Sequence, residues 1–185
     1  MRGIERRIAD GLDPQVRSVA SLFMSRWDVA VADQVPDELR NRLGIAVGKH
    51  EYRAYRELLE SDRFKKLAGD GAFRQRLLFA STGTKDPQAS QTLYVEAMVA
   101  PDTVDTMPVK TLEATAALDA EPSPMSTDPS AGKESLARFT ALGIDLAEVA
   151  ETLQREGAES FVKSWNSLME RIASKAGGDA ARRRA

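Results

Sequence analysis

Cysteine is absent from the 185-residue chain, which removes disulfides, thiol nucleophiles and thiolate-based zinc sites. There is one histidine, His50. It lies between Lys49 and Glu51 in a helical pattern, with no serine or cysteine partner and no metal-ligand spacing around it, so it reads as a solvated surface residue. Glycine-rich phosphate loops and Glu-x-x-His patterns are missing too. No apolar run reaches membrane-span length, and the opening residues MRGIERRIAD hold no core of signal-peptide length; no membrane partner is expected and the default location is cytoplasmic. Neither charge sign dominates: Lys+Arg number 26, Asp+Glu 28, and the net charge is -2. That balance gives no electrostatic reason to bind nucleic acid. The sole like-charge run, Arg182 to Arg184, reads as part of a disordered tail over 177–185.

What is present suits one globular domain with its own core: 42% apolar and 29% charged residues, interspersed. Ile4 and Ile8 mark a short helix, broken by Gly11 and Asp13-Pro14. The apolar segment 16–23 predicts a buried strand. Helical patterns follow after Arg26 and Trp27 to about 34 and from 37 to 60, the second weakened at its centre by Gly44 and Gly48. A strand is expected at 77–81, then the polar loop TGTKDPQAS, a short helix at 93–99, a strand at 103–107 and a helix from Pro108 to about 118. Residues 119–132 hold three prolines among small polar residues and read as a linker. Three helical patterns close the chain, near 133–142, 145–156 and 158–175; in the last, Phe161, Trp165, Leu168, Met169 and Ile172 form an apolar stripe that reads as core packing. Trp27 and Trp165 likewise read as packing residues.

Alternating strands and helices argue for an α/β fold with about three parallel strands and crossover helices, followed by a helical C-terminal tail. A closed parallel barrel needs eight strands and typically ~250 residues. Three parallel strands alone leave two open edges of buried-type sequence. By this count the chain reads as incomplete.

Several segments together resemble the transaldolase family, in its bacterial branch. They are VASLFMSRWD at 19–28, RLGIAVGKHEYRAYRELLES at 42–61, RLLFASTGTKDP at 76–87, TLYVEAMVAPDTVDTMPVKTLEA at 92–114 and FVKSWNSLMERIASK at 161–175. The resemblance implies the C-terminal portion of a TIM (β/α)8 barrel of the class I aldolase type. Residues 1–118 would match strands six to eight, 119–132 would be a linker, and 133–176 would be helices packing on the barrel. It also implies transfer of a dihydroxyacetone unit between sugar phosphates in the pentose phosphate pathway, through a Schiff-base lysine and without a cofactor or metal. The family carries that lysine on its fourth strand and the acid/base partners on its first and third, so no catalytic residue is expected in this chain.

What the resemblance leaves here is the phosphate end of the substrate. Arg26 matches the family's phosphate-binding arginine, Ser21 lies five residues before it, Ser81 matches a phosphate-binding serine, and Lys85 is the best candidate for the second cation. A phosphate dianion calls for such cations and hydroxyls at barrel-strand ends. From the residues alone, Arg26 could instead be a surface ion pair with Asp28 or Asp33. Lys49 and Lys110 read as solvated, not as replacement Schiff-base lysines. Two readings stay open. In one, the chain works with a polypeptide supplying the N-terminal barrel half. In the other, it is a non-catalytic fragment, kept as an interaction or phosphosugar-binding module or decaying.

Overall fold

The computed structural model describes residues 1–126 and 129–182. Its elements are α1 (Arg2–Ala9), β1 (Val19–Phe23), α2 (Met24–Val31), α3 (Leu43–Glu60), α4 (Asp62–Gly69), β2 (Arg76–Ala80), α5 (Leu93–Ala97), β3 (Thr103–Asp105), α6 (Val109–Ala116), α7 (Pro129–Ala141) and α8 (Leu146–Arg182). Two compact units result, Met1–Ile144 and Asp145–Ala185.

In the first unit the three strands make one parallel sheet in the order β1-β2-β3. The register pairs Ser21 with Leu78, Leu22 with Phe79 and Phe79 with Asp105. Side chains alternate across a strand, so the two faces have different fates. One face carries Leu77 and Phe79, which are buried with Met24, Tyr52, Tyr94, Met98 and Met125 against the helices. On the other, Val19, Ser21 and Arg76 are exposed, Phe23, Leu78 and Val104 are half-buried, and Ala80 alone is buried. Parallel sheets are ordinarily covered on both faces. The expectation that residues 16–23 form a buried strand is therefore corrected: the strand starts at Val19, and its first three residues are exposed, because it is both the edge of the sheet and bare on one side.

The long helix expected over 37–60 is divided. A single 3-10 turn, Asp37–Leu39, comes first, and Asn41 at φ 58° turns the chain before α3 begins. Asparagine tolerates that left-handed conformation better than most residues. The glycines that weakened this helix in the sequence are what its packing needs. A Cβ at Gly44 would stand 2.5 Å from the Met24 carbonyl oxygen, and one at Gly48 2.6 Å from Met98 Sδ. Helix α4 was not foreseen; Ser61 caps it, its hydroxyl accepting from the Phe64 N–H at 3.3 Å. Arg63 of α4 then forks onto Glu5 of α1 at 2.6 and 2.7 Å.

The segment read as a linker is packed in part. Met125 is buried, and its N–H donates to the Val99 carbonyl at 2.7 Å. Residues 127 and 128 lie outside the described residues. Helix α7 already begins at Pro129, and Phe139 on it is fully buried in the first unit. In the second unit the two expected helices at 145–156 and 158–175 are one, α8, continuous through Gly157; one interior glycine costs a helix only about 1 kcal/mol relative to alanine. Of the residues expected to form a disordered tail, 177–182 fall within α8 and 183–185 lie outside the described residues. The stripe expected to be core is exposed: Phe161, Trp165, Leu168, Met169 and Ile172 stand 38–66% accessible.

Replacing Gly44 by alanine forces the α2 and α3 backbones apart, and should lower the unfolding free energy by about 1–3 kcal/mol. The added methyl at Gly69 meets nothing within 4 Å, so Gly69→Ala should be neutral or gain up to about 1 kcal/mol. Denaturant melts of the two variants beside the parent check both signs.

Candidate functional site

Strand β1 runs without a loop into α2, so Ser25 and Arg26 occupy the first turn of a helix at the C-terminal end of the sheet. Ser81 directly follows β2 and holds φ 56°, left-handed for a residue that has a Cβ. Such strain persists only where surroundings fix it. The fixing contacts are with α2: the Ser25 N–H donates to the Ser81 carbonyl at 3.2 Å, and the two hydroxyls lie 2.8 Å apart. One hydroxyl donates to the other, which leaves the second proton and further lone pairs for a ligand.

The four residues singled out in the sequence are not gathered into one cluster. Ser81 meets Ser25, which the sequence reading missed. Arg26 lies beside Ser25 in the chain, with its guanidinium carbon 4.5 Å from the centre of the Phe23 ring, a cation–π stack. Among the described residues it makes no ion pair. Asp28, offered as its partner, is engaged elsewhere, and Asp33 is exposed. Ser21 sits on the bare face of β1, opposite Leu78, and no described hydrogen bond ties it to the other three. Lys85 is exposed and borders a cavity of about 280 Å³ that also touches Ser25, Asp28, Arg40, Asn41 and Tyr94. Its loop is pinned through the next residue, Asp86, whose carboxylate accepts from Asn41 Nδ2 at 2.7 Å. Lys110 and His50 are exposed.

Beneath these strand ends lies a buried carboxylate. Asp28 accepts from the Leu43 N–H at 2.8 Å, the Gly44 N–H at 3.1 Å and the Tyr94 hydroxyl at 2.7 Å. It takes up two free amides at the start of α3 and ties α2, α3 and α5 at one group. Burial pushes its carboxyl above the ordinary aspartate value, against the three donors, which act to lower it. Burial, with the Asp28 charge adding to it, likewise raises the Tyr94 hydroxyl. A second half-buried carboxyl, Asp105 on β3, is raised by burial and held down in part by Thr82; Thr82 Oγ lies 3.0 Å from both Asp105 Oδ1 and the Thr106 carbonyl. The sequence signal for this hub was Asp28 standing one turn into a helix that begins straight off a strand; its three donors come from residues 15 to 66 positions away.

Among the described residues no cluster of His, Asp and Glu could hold a metal ion. No described helix is long and apolar enough to cross a membrane.

The model of the transaldolase/fructose-6-phosphate aldolase family matches residues 6–172. Among proteins similar to this chain is the transaldolase of Mycolicibacterium smegmatis, 42% identical over 179 residues, covering 92% of this chain and 48% of that protein. The transaldolase of Saccharopolyspora erythraea is 41% identical, covering 93% and 49%. That of Thermobifida fusca is 39% identical, covering 94% and 50%. The chain thus spans about half the length of these relatives.

Because its folded-state pKa is raised, Asp28 favours folding fully only below the ordinary aspartate value, about 4. That contribution is lost as pH rises through the raised folded value. In Asp28→Asn the group no longer titrates. The unfolding free energy of the parent minus that of the variant should fall as pH climbs from about 4, and denaturant melts at stepped pH measure it; a difference that grows with pH would mean that the three donors outweigh burial.

Proposed function

The chain belongs to the transaldolase/fructose-6-phosphate aldolase family, and from that premise we propose that it is the phosphate-holding part of a transaldolase whose reacting lysine lies in the half it does not span. The observation that carries the reading is the parallel sheet itself. It is covered on one face and bare on the other, with two serine hydroxyls paired at its C-terminal end.

In this reading β1, β2 and β3 are strands six to eight of a (β/α)8 barrel, and the bare face is the barrel interior. A ketose phosphate binds across the mouth. Its phosphate dianion is held by the Arg26 guanidinium, the Ser81 hydroxyl and the Lys85 ammonium, with Ser21 on the barrel wall below. Ser25 joins them, since its hydroxyl orients that of Ser81. Charge-assisted contacts of this kind are the stronger class of hydrogen bond. The amine that adds to the ketose carbonyl, expels water and forms the iminium comes from the other half. The iminium takes up the electrons of the cleaved carbon–carbon bond, and the dihydroxyacetone unit then passes to an aldose phosphate. The residues described here bind and orient, and no cofactor or metal is called for. A cytoplasmic location goes with this reading.

Two measurements test it. Borohydride reduction of the isolated chain with a ketose phosphate should leave no adduct, and an adduct on any of its lysines would falsify the division of labour. A complex of this chain with the remaining half of a relative should transfer the three-carbon unit. In that complex Arg26→Ala should raise KM about 10- to 100-fold, the loss of one or two charged hydrogen bonds, with a smaller change in kcat. An assembled complex without activity would favour a binding or interaction module instead.

A further inference from the structure

Ser81 keeps its left-handed backbone through contacts on two sides, and Ser25 accounts for one of them. On the other side is Thr82, which is fully buried. Its hydroxyl oxygen lies 3.0 Å from Asp105 Oδ1 and 3.0 Å from the Thr106 carbonyl oxygen. Gly83 follows, so close to the start of α6 that a Cβ there would stand 3.1 Å from Pro108 Cγ and 3.4 Å from Thr111 Oγ1. The turn has little room, and its seat depends on what the Thr82 hydroxyl can bond.

A hydroxyl has one proton to give, and a carbonyl can only accept. With an ionised Asp105, both neighbours of Thr82 Oγ ask for that one proton, and one of the two contacts is an approach of oxygen to oxygen with no hydrogen in it. Thr82 is closed to solvent, so water does not make up the difference. A protonated Asp105 removes the conflict: it donates to Thr82 Oγ, and Thr82 donates to the Thr106 carbonyl. Each oxygen of this buried chain is then matched, as buried polar groups ordinarily are. The surroundings act in the same direction. Burial raises the Asp105 carboxyl, the Thr82 hydroxyl opposes it in smaller part, and no charged side chain among the described residues contributes. Of the charges nearest in sequence, Asp102 is paired with Arg56 and Arg74, and Lys110 is exposed.

We propose that Asp105 is a positioning residue whose proton, relayed through Thr82, sets the Ser81 turn for an anion at the strand ends. The anion half of this rests on the phosphate-holding reading above; the coupling of Asp105 to Ser81 does not. Loss of the proton leaves Thr82 with two competing acceptors, slackens the turn, and places a negative charge against the residue that follows Ser81. Both effects weaken the hold on a dianion. By linkage, a bound dianion holds the Asp105 proton more tightly by the same factor.

Carboxyl and amide NMR of the full chain at stepped pH, beside Asp105→Asn, tests the coupling. In the parent, Asp105 should titrate above the ordinary aspartate value of about 4, and the Ser81 and Thr82 amide signals should move with the same midpoint. The asparagine amide donates as the neutral acid does, so in Asp105→Asn those signals should hold one position, close to that of the parent at low pH. Sulfate, a dianion throughout this range, then probes the site at constant ionic strength. Its affinity for the parent should fall about threefold across the Asp105 midpoint and stay level in Asp105→Asn, and saturating sulfate should raise the midpoint correspondingly. An Asp105 midpoint at or below the ordinary value, or a Ser81 amide that does not follow it, would overturn the proposal. Sulfate affinity equal on both sides of the midpoint would overturn the anion half alone. Sulfate bound by neither protein at any pH would overturn the anion half together with the phosphate-holding reading, and the amide midpoints would still decide the coupling.

Discussion

A parallel sheet exchanges its backbone hydrogen bonds sideways between strands and buries its side chains above and below, and it is stable when both faces are dry. Here that condition is met on one face. Phe79 is fully buried among Met24, Tyr94 and Met98, whereas Val19 and Arg76, paired across β1 and β2, are exposed. Strand β1 is also an edge, and edges of apolar sequence invite pairing. The helices, the turns at the strand ends and the hydroxyl pair above them are all built on this half-dressed sheet. The proposed reading of the chain as part of a larger architecture starts from it.

The helix-covered face explains how the strand ends are held so firmly. Gly44 lets the first turn of α3 press against α2, which brings its free amides onto Asp28. Tyr94 closes the third bond to that carboxylate from α5. The tie fixes the start of α2, hence Ser25, and Ser25 in turn holds Ser81 in its left-handed conformation. Breaking it at Asp28 would leave buried donors unmatched, at about 1–3 kcal/mol each. Local sequence, packing and the candidate site are links of one chain here, and the weakest link is the cover that one side of the sheet does not have.

Much of this was legible in the sequence. The three strands and their order along the chain followed from short apolar runs set between helical patterns, whereas the candidates Arg26 and Ser81 came from the family resemblance, the residues alone leaving Arg26 open as a surface ion pair. What escaped depended on neighbours distant in sequence. Gly44 and Gly48 read as weak points in a helix because composition does not show that Met24 and Met98 press on them. Asn41 splits the same helix by a backbone rotation that periodicity cannot register. Ser25 was passed over because its partner lies 56 residues away. The exposure of β1 and of the α8 stripe departs from the expectation of burial, because an apolar pattern in sequence does not say which neighbours cover it.

The claim most exposed to test is that the edge and bare face of β1 await further strands. Amide hydrogen exchange across Val19–Phe23 measures it directly, in the isolated chain and after addition of the remaining half of a related transaldolase. The outward amides of β1 should exchange fast in the chain alone and become strongly protected in the complex. Full protection without any partner, or fast exchange persisting in an assembled complex, would contradict the account.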